Sequence, residues 1–294
     1  MATDPLLVVP PNHGLPGPAL AEAAETLSTS ADRRWIGTAA RGLASAAVGI
    51  FLIVGWQFTA TYLVRPIWIS SPVLVYERFL VMMQDGSLLS DTWQTVEEAL
   101  VGLIIGVITG SLAGVALARF QNTARVVGPY VMGAYSIPRV ALAPFFMLWF
   151  GIGIWSKIVL VWSVVFFIVL FNVREGVENI DHDLIDVLKS MRAGRMAMMR
   201  HVTIPSVIPW VIASIKIGIG MALVGAVVGE MLGAASGLGW RITYSLSNFD
   251  TTGAMLCLLV MGVLAACMST LVGFIERRAF RWRGSPAGSM VVPQ

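Results

Sequence analysis

The sequence predicts an all-α membrane protein with six transmembrane helices. Of its 294 residues, 56% are hydrophobic and only 13% are charged, and the mean hydropathy is +0.77. A soluble domain usually carries about 25% charged residues. Three uncharged runs, at 42–64, 99–118 and 251–275, contain 20 residues or more, which is long enough for a helix to cross a hydrocarbon layer of about 30 Å.

The uncharged runs define the predicted spans. The first lies between Arg41 and Arg65 and contains 23 uncharged residues. The others are expected at 99–118, 137–153, 158–173, 206–231 and 251–275. Residues 1–35 are rich in Pro, Ala, Ser and Thr, which predicts a disordered tail. We therefore expect a membrane domain over 36–284, followed by a short C-terminal tail over 285–294.

Two connections have a predicted structure of their own. Residues 73–83 form an amphipathic segment that we expect on the membrane surface, and an Asp85-Gly86 turn follows it. Ser90 or Asp91 is the predicted N-cap of span two. A short basic loop is expected between spans two and three.

Glycines recur at every fourth position in two of the spans. Small residues at this spacing lie on one helix face and allow close approach of another helix. This pattern predicts packing faces at Gly102, Gly106, Gly110 and Gly114 in span two and at Gly225, Gly229 and Gly233 in span five.

A polar segment from Asp181 to Pro209 separates spans four and five. Leu184, Leu188 and Met191 recur at helical spacing, and a break at Ala193-Gly194 follows. The pattern predicts two short amphipathic helices joined by a turn, with prolines marking the entry to span five. Periodicity alone leaves two interpretations open, a docking segment or a solvated linker.

The basic residues predict which side of the membrane the tails occupy. With six spans, 14 of the 20 Lys and Arg residues fall on the side of the tails and of the polar segment, and four fall on the other. Basic residues accumulate in cytoplasmic loops. We therefore expect both termini and the 181–209 segment to be cytoplasmic.

Three ionisable side chains fall within or at the edge of the spans, where charged residues are costly and usually functional. Arg139 follows Pro138, and the pair is a candidate for the translocation path or an inner gate; Arg139 could instead reach the interface. Lys216 could attract an anion or pair with a carboxylate from another helix. Glu230 is expected to satisfy a backbone end or a cation rather than to bind substrate.

Several chemistries are not indicated. The sequence has no C-x-x-C or H-E-x-x-H metal motif, no clustered catalytic residues and no phosphate-binding G-x-x-x-x-G-K-[ST] loop. Its basic residues do not form one patch, so nucleic acid is not an expected partner. The chain is therefore predicted not to be an enzyme, and any nucleotide hydrolysis must come from another subunit.

Three stretches carry a family resemblance: IPRVALAPFFMLWFGIGIWSK at 137–157, the polar segment through Pro209, and VVGEMLGAASGLGW at 227–240. They resemble the inner membrane permease subunits of bacterial ABC importers, the binding-protein-dependent transport systems. The likeness runs from about residue 67 to 282. It is nearest to the branch that serves nitrate, sulfonate, taurine and bicarbonate.

The resemblance implies a type I ABC importer permease-like fold, with a cytoplasmic coupling-helix pair between spans four and five, in a coupling loop over 181–205. It implies a homodimer in the bacterial inner membrane, two cytoplasmic ATPase subunits that bind ATP and Mg, and a periplasmic or lipid-anchored solute-binding protein. No cofactor is expected in this chain. The implied solute is a small anion, and a pyrimidine precursor or an aromatic acid remains an alternative solute. A secondary transporter remains an alternative class of protein.

The resemblance also implies which residues couple to the ATPase. These are Asp186, Leu188, Met191, Arg192, Ala193, Gly194, Arg195, His201 and Pro205. The chain departs from the family at Asp186 in place of the usual Glu, at Leu188 in place of an alanine, and at Arg192 in place of the usual glycine. The turn is therefore expected to be shifted, or carried by Ala193-Gly194. Alternatively, Arg192 and Arg195 contact anionic headgroups, at about 1 kcal/mol each.

Overall fold

The computed structural model of the chain describes residues 44–45, 47–65 and 67–279. Within these ranges every regular element is a helix, so the prediction of an all-α fold is confirmed. The predicted tails at 1–35 and 285–294 lie outside the described residues. The chain divides into two units, one ending at Leu63 and one beginning at Val64.

The described part of the first unit contains one apolar helix, α1 (Ala47–Leu63). Its last turn, Thr59–Leu63, is π-helical. The Gln57 amide donates a hydrogen bond to the Thr61 hydroxyl at 3.1 Å. This helix lies within predicted span one.

The second unit contains helices α2 to α11. Four of its helices are long and apolar enough to cross a membrane, and a bent pair could form a fifth crossing. Their bounds are α2 Pro72–Gln84, α3 Ser87–Arg119, α4 Gln121–Ser136, α5 Ala143–Phe150, α6 Ile154–Glu178, α7 His182–Ser190, α8 Arg195–Met198, α9 Ile204–Gly233, α10 Leu238–Ser247 and α11 Thr251–Ala279.

The core of this unit is the contact between α3 and α6. The four glycines of α3 lie on its buried face. A Cβ at Gly102 would lie 2.6 Å from the Val161 Cβ, and one at Gly110 would lie 2.6 Å from the Phe166 carbonyl oxygen. The two backbones therefore approach each other as small-residue faces allow. Buried residues of α9, among them Ile219 and Ala222, complete the same core.

The glycines of α9 also lie at helix contacts. A Cβ at Gly229 would be 3.0 Å from Lys157 Cγ of α6, and one at Gly233 would be 2.9 Å from the Met147 sulfur of α5. A Cβ at Gly225 would be 3.3 Å from Val161 Cγ2. Both glycine series therefore lie where α3 and α9 approach α5 and α6.

Span three differs from the prediction. The residues expected to form a short basic loop form α4 instead, and α4 is followed by a 3-10 turn, Arg139–Leu142, and then α5. The two helical halves are bent by 81°. The break lies at Ile137-Pro138, where proline disfavours helical geometry in the preceding residue and donates no backbone hydrogen bond.

The start of α3 also differs from the prediction. The helix begins at Ser87, so neither Ser90 nor Asp91 is its N-cap. Gly86 is the N-cap, with a φ of 75° that favours glycine. The Asp85 carboxylate accepts a hydrogen bond of 2.8 Å from the Ser87 N–H. The predicted amphipathic segment at 73–83 is helical, as part of α2, and its place on the membrane surface stays a prediction. Arg78 of α2 forms an ion pair with Asp250 before α11.

Candidate coupling segment and buried polar network

Helix α7 begins and ends with well-formed caps. The Asp181 carboxylate accepts from the Asp183 N–H at 2.9 Å. At the other end, the Arg192 N–H donates to the Lys189 carbonyl at 2.9 Å and the Ala193 N–H donates to the Leu188 carbonyl at 3.0 Å. This pair of bonds is the Schellman motif, which ends a helix with one residue in the left-handed conformation.

The left-handed residue of this motif is Arg192, with a φ of 53°. The structure thus keeps the turn at the position where the resemblance expects glycine, and the prediction of a turn carried by Ala193-Gly194 is wrong. A Cβ at Gly194 would meet nothing within 4 Å. Left-handed backbone costs a non-glycine residue about 1–2 kcal/mol, so the two C-terminal hydrogen bonds hold Arg192 in a disfavoured conformation.

The apolar face of α7 is uncovered. Leu184 is 50% exposed, Val187 is 58% exposed and Met191 is 73% exposed. Met196, after the turn, is 79% exposed. On the polar side, Lys189 donates to the Asp186 carboxylate at 3.0 Å. The segment therefore presents apolar side chains that the described part of the chain does not bury.

The second predicted short helix is not separate. Helix α8 begins at Arg195 and continues through a π-helical turn, Met199–Thr203, into α9. Residues Met196–Gly233 therefore form one helical stretch of 38 residues. Pro205 directly follows the π-helical turn, as the second residue of α9. The His201 ring Nδ1–H donates to the Ala197 carbonyl at 2.9 Å within this stretch.

The opposite end of the bundle contains a buried polar network that the sequence analysis did not predict. Asp91 of α3 is 3% exposed. Its carboxylate accepts from Arg241 of α10, at 2.7 Å from Nε and 2.6 Å from Nη2, and from the Gly237 N–H at 3.0 Å. These contacts of Asp91 hold the loop between α9 and α10 against the start of α3.

A second ion pair lies two turns further along α3. Lys157, expected in a loop, lies in the first turn of α6, and its Nζ is 3.0 Å from Glu98 Oε1. Both residues are buried. Gln94 donates to the same carboxylate oxygen at 3.3 Å and also contacts the Ser236 hydroxyl. Removing one partner from a pair of this kind costs about 3–5 kcal/mol.

Glu230 completes the network from the last turns of α9. Its Oε1 is 2.7 Å from the Thr95 hydroxyl, and its Oε2 accepts from the Gly239 N–H at 2.6 Å. The Leu238 N–H donates to the Thr95 hydroxyl at 2.9 Å. Gly237 has a φ of 105°, and a Cβ there would overlap the Glu230 carboxyl group. The glycines of this loop therefore allow the chain to close over Glu230.

One sequence signal could have revealed this network. Asp91, Thr95 and Glu98 lie at helical spacing and continue the face of α3 that Gly102 begins. Polar residues on a packed face must find partners within the protein. The partners themselves come from distant parts of the sequence and have no shared pattern.

The remaining candidates for a translocation path lie apart from this network. The Arg139 guanidinium carbon is 4.2 Å from the centroid of the Phe167 ring, a cation–π contact. Its Nη2 is buried without a hydrogen-bond partner. Lys216 forms an ion pair with Glu276 of α11. Pro138 lies at the break of span three, and a role for these residues in transport stays a prediction.

Comparison with known protein families identifies the chain. Residues 102–281 match the model described as "Binding-protein-dependent transport system inner membrane component". The chain belongs to this family. The resemblance drawn from 137–157, the polar segment and 227–240 is therefore confirmed, and the chain is a permease of the ABC importer type.

Curated relatives of this permease carry different solute names. It is 31% identical over 237 residues to the riboflavin transport system permease protein RibX of Chloroflexus aurantiacus, covering 80% of this chain and 88% of RibX. It is 26% identical to the formylaminopyrimidine transport permease protein ThiX of Halalkalibacterium halodurans, covering 80% and 93%. It is 25% identical to the putative aliphatic sulfonates transport permease protein SsuC of Bacillus subtilis, covering 84% and 88%.

The permease shares its fold with solved structures of other transporters. A chain of the MetNI methionine ABC transporter, in an inward-facing conformation, aligns with a TM-score of 0.60 and 23% identity, covering 67% of this permease and 97% of that chain. The fold is therefore that of type I ABC importer permeases, as the resemblance implied.

Proposed function

We propose that this permease works as a pair of identical chains with two cytoplasmic ATPase subunits, which bind ATP and Mg, and with a periplasmic or lipid-anchored solute-binding protein. The ATPases bind the coupling loop over 181–205. The chain itself supplies the path through the bacterial inner membrane, and both termini are cytoplasmic. The excess of Lys and Arg on the side of the coupling loop supports this orientation.

The uncovered apolar face of α7 is the observation that carries the proposal. An amphipathic helix that leaves this face exposed is suited to a hydrophobic groove on a partner. Leu184, Val187 and Met191 form the face. Asp186 and Arg192 are placed to make charged contacts at the rim of such a groove.

The connection from this face to the membrane is helical. The stretch Met196–Gly233 is about 57 Å long at 1.5 Å per residue. Within this stretch, Trp210 packs on Gly176 of α6, where a Cβ would lie 2.6 Å from Trp210 Cδ1. When a closing ATPase moves the loop, α6 and α9 therefore tilt together, and the movement reaches the far end of the bundle.

Two classes of solute have support. Arg139, with a buried guanidinium nitrogen that has no hydrogen-bond partner, favours a small anion such as nitrate, a sulfonate, taurine or bicarbonate. Lys216 gives less support, because Glu276 already pairs with it. The relatives named for riboflavin and formylaminopyrimidine favour a nitrogen heterocycle as the second candidate.

Charge substitutions on the exposed face of α7 test the docking proposal. Val187→Glu and Met191→Glu should each abolish co-purification of the ATPase and solute-stimulated ATP hydrolysis, because a carboxylate does not enter an apolar groove. The matched control is Leu246→Glu, which changes an exposed leucine of α10 at the other end of the bundle. Normal ATPase binding by both α7 variants would overturn the proposal.

Uptake measurements test the solute classes separately. Taurine, an aliphatic sulfonate and riboflavin are supplied to membranes that contain the assembled importer. Arg139→Ala should abolish uptake of an anion while leaving ATPase binding intact. An unchanged rate would show that Arg139 is not essential.

A labelling experiment tests the orientation. Lys189→Cys, in a background without Cys257 and Cys267, should react with a membrane-impermeant thiol reagent only from the cytoplasmic side. Labelling from outside the cell would contradict the proposed topology.

A further inference from the structure

The Glu230 carboxyl group has no cation of its own. It is 1% exposed and lies where α3, α9 and the loop before α10 meet. Three buried acids occupy this end of the bundle, Asp91 and Glu98 on α3 and Glu230 on α9. Two cations face them: Arg241 pairs with Asp91, and Lys157 pairs with Glu98. Glu230 is the acid of the three that forms no ion pair with either cation.

Burial makes this surplus charge costly. An ionised carboxylate without a counter-charge loses most of its hydration free energy when it is buried. Acids in such surroundings become neutral or acquire a partner. The only other titratable side chain near the cluster on α11 is Cys257, a buried thiol without a positive charge. Among the described residues, the charge count therefore favours one additional proton on these three acids.

The hydrogen bonds of Thr95 indicate where the proton lies. The Thr95 oxygen accepts from the Leu238 N–H and is 3.1 Å from the Asp91 carbonyl oxygen and 2.7 Å from Glu230 Oε1. A hydroxyl group has one hydrogen to donate. The Asp91 carbonyl already lies at the acceptor position of an i−4 backbone bond within α3, so the two contacts compete for the Thr95 hydrogen. When that hydrogen goes to the Asp91 carbonyl, the shorter contact needs a hydrogen from Glu230, and its length is typical of an O–H···O bond.

We propose that Glu230 is a proton-binding site: a neutral carboxylic acid whose Oε1–H donates to Thr95 Oγ1, while Oε2 accepts from the Gly239 N–H. This assignment gives each oxygen of the group a single role and makes the five-residue cluster electrically neutral. The bound proton joins α9 to α3, and the acceptor oxygen joins α9 to the first turn of α10. The inference does not depend on which solute is carried.

Infrared spectroscopy of the purified permease in lipid at neutral pH tests the proposal. A protonated carboxyl group has a carbonyl stretch that is separate from the carboxylate and amide bands and that shifts in heavy water. This band should be present in the wild type and lost in Glu230→Gln. It should persist in Glu178→Gln, the matched control, because Glu178 is exposed and paired with Arg174.

The same substitution has a structural expectation. A glutamine amide can donate to Thr95 and accept from Gly239, so Glu230→Gln should unfold within a few degrees of the wild type. If that variant does not fold, Thr95→Val serves in its place. It keeps the acid but removes the acceptor, so the carbonyl band should move to higher frequency.

Four results would overturn the proposal. The first is a wild-type spectrum without the band, and the second is a band that persists in Glu230→Gln. The third is a band that is lost in Glu98→Gln but kept in Glu230→Gln. The fourth is a band whose frequency does not change in Thr95→Val. The third result would assign the proton to Glu98, whose Oε2 is buried without a hydrogen-bond partner.

Discussion

The close contact between α3 and α6 makes a quantitative prediction at Gly110. A Cβ there would lie 2.6 Å from the Phe166 carbonyl oxygen, 0.8 Å short of an ordinary contact distance of 3.4 Å. It would also lie 2.9 Å from the Val169 Cβ and 3.3 Å from the Leu170 N. Two of these three atoms belong to the backbone of α6, so no side-chain rotation relieves the overlap.

Gly110→Ala therefore forces the two helices apart, and overpacking of this kind costs about 1–3 kcal/mol. Alanine also favours the helix by about 1 kcal/mol relative to glycine, which would partly hide the effect. Gly220→Ala on α9 corrects for this gain, because a Cβ at Gly220 would meet nothing within 4 Å. Gly110→Ala should be less stable than Gly220→Ala by about 1–3 kcal/mol.

Equilibrium unfolding of the purified permease in detergent, followed by tryptophan fluorescence, measures the difference. Each variant is compared with the wild type in the same detergent and lipid. Equal stability of Gly110→Ala and Gly220→Ala would refute the argument, because it would show that the α3–α6 contact can open without cost.

Three further predictions concern polar and backbone features. Lys157→Met should destabilise the fold by about 3–5 kcal/mol, and adding Glu98→Leu should restore much of the loss; additive losses in unfolding measurements would show that the two side chains do not interact. Arg192→Gly should raise the unfolding free energy by about 1 kcal/mol, because glycine adopts the left-handed conformation without strain; a lower stability would contradict this. The Ser87 hydroxyl and N–H donate to the Asp85 carboxylate and hold its pKa below the ordinary value. These hydrogen bonds therefore stabilise the fold at a pH above the ordinary pKa of Asp85, and the stabilisation is lost as pH falls through the lowered pKa. Hydrogen exchange in the first turn of α3 should speed up over that acidic range, and Asp85→Ala should remove the pH dependence; the same acceleration in the variant would exclude Asp85 as the cause.

The features that could be predicted from the sequence depend on local patterns. Uncharged runs identified the apolar segments, because a helix that crosses the hydrocarbon layer needs about 20 mostly apolar residues. The series that begins at Gly102 identified the packed face of α3, because only small residues at helical spacing allow that approach. The family resemblance expected glycine at position 192, and the backbone there is left-handed although the residue is Arg192; the expected shift of the turn to Ala193-Gly194 was wrong.

The features that could not be predicted depend on tertiary contacts. Lys157 follows a glycine-rich stretch and was assigned to a loop, yet Glu98 stabilises it in the first turn of α6. Asp91 resembled an N-cap because Asp is common there, but Arg241 and Gly237 are its partners. The helix from Met196 to Gly233 runs through a π-helical turn that no local pattern marks.

The break in span three has a consequence for hydration. Ile137 is 47% exposed, and the chain around Pro138 is not helical. Non-helical backbone at membrane depth is tolerated only where protein covers it or where it borders water. If the two halves of this 81° bend form one crossing, the open side of the bend should face water or a second polypeptide rather than lipid tails.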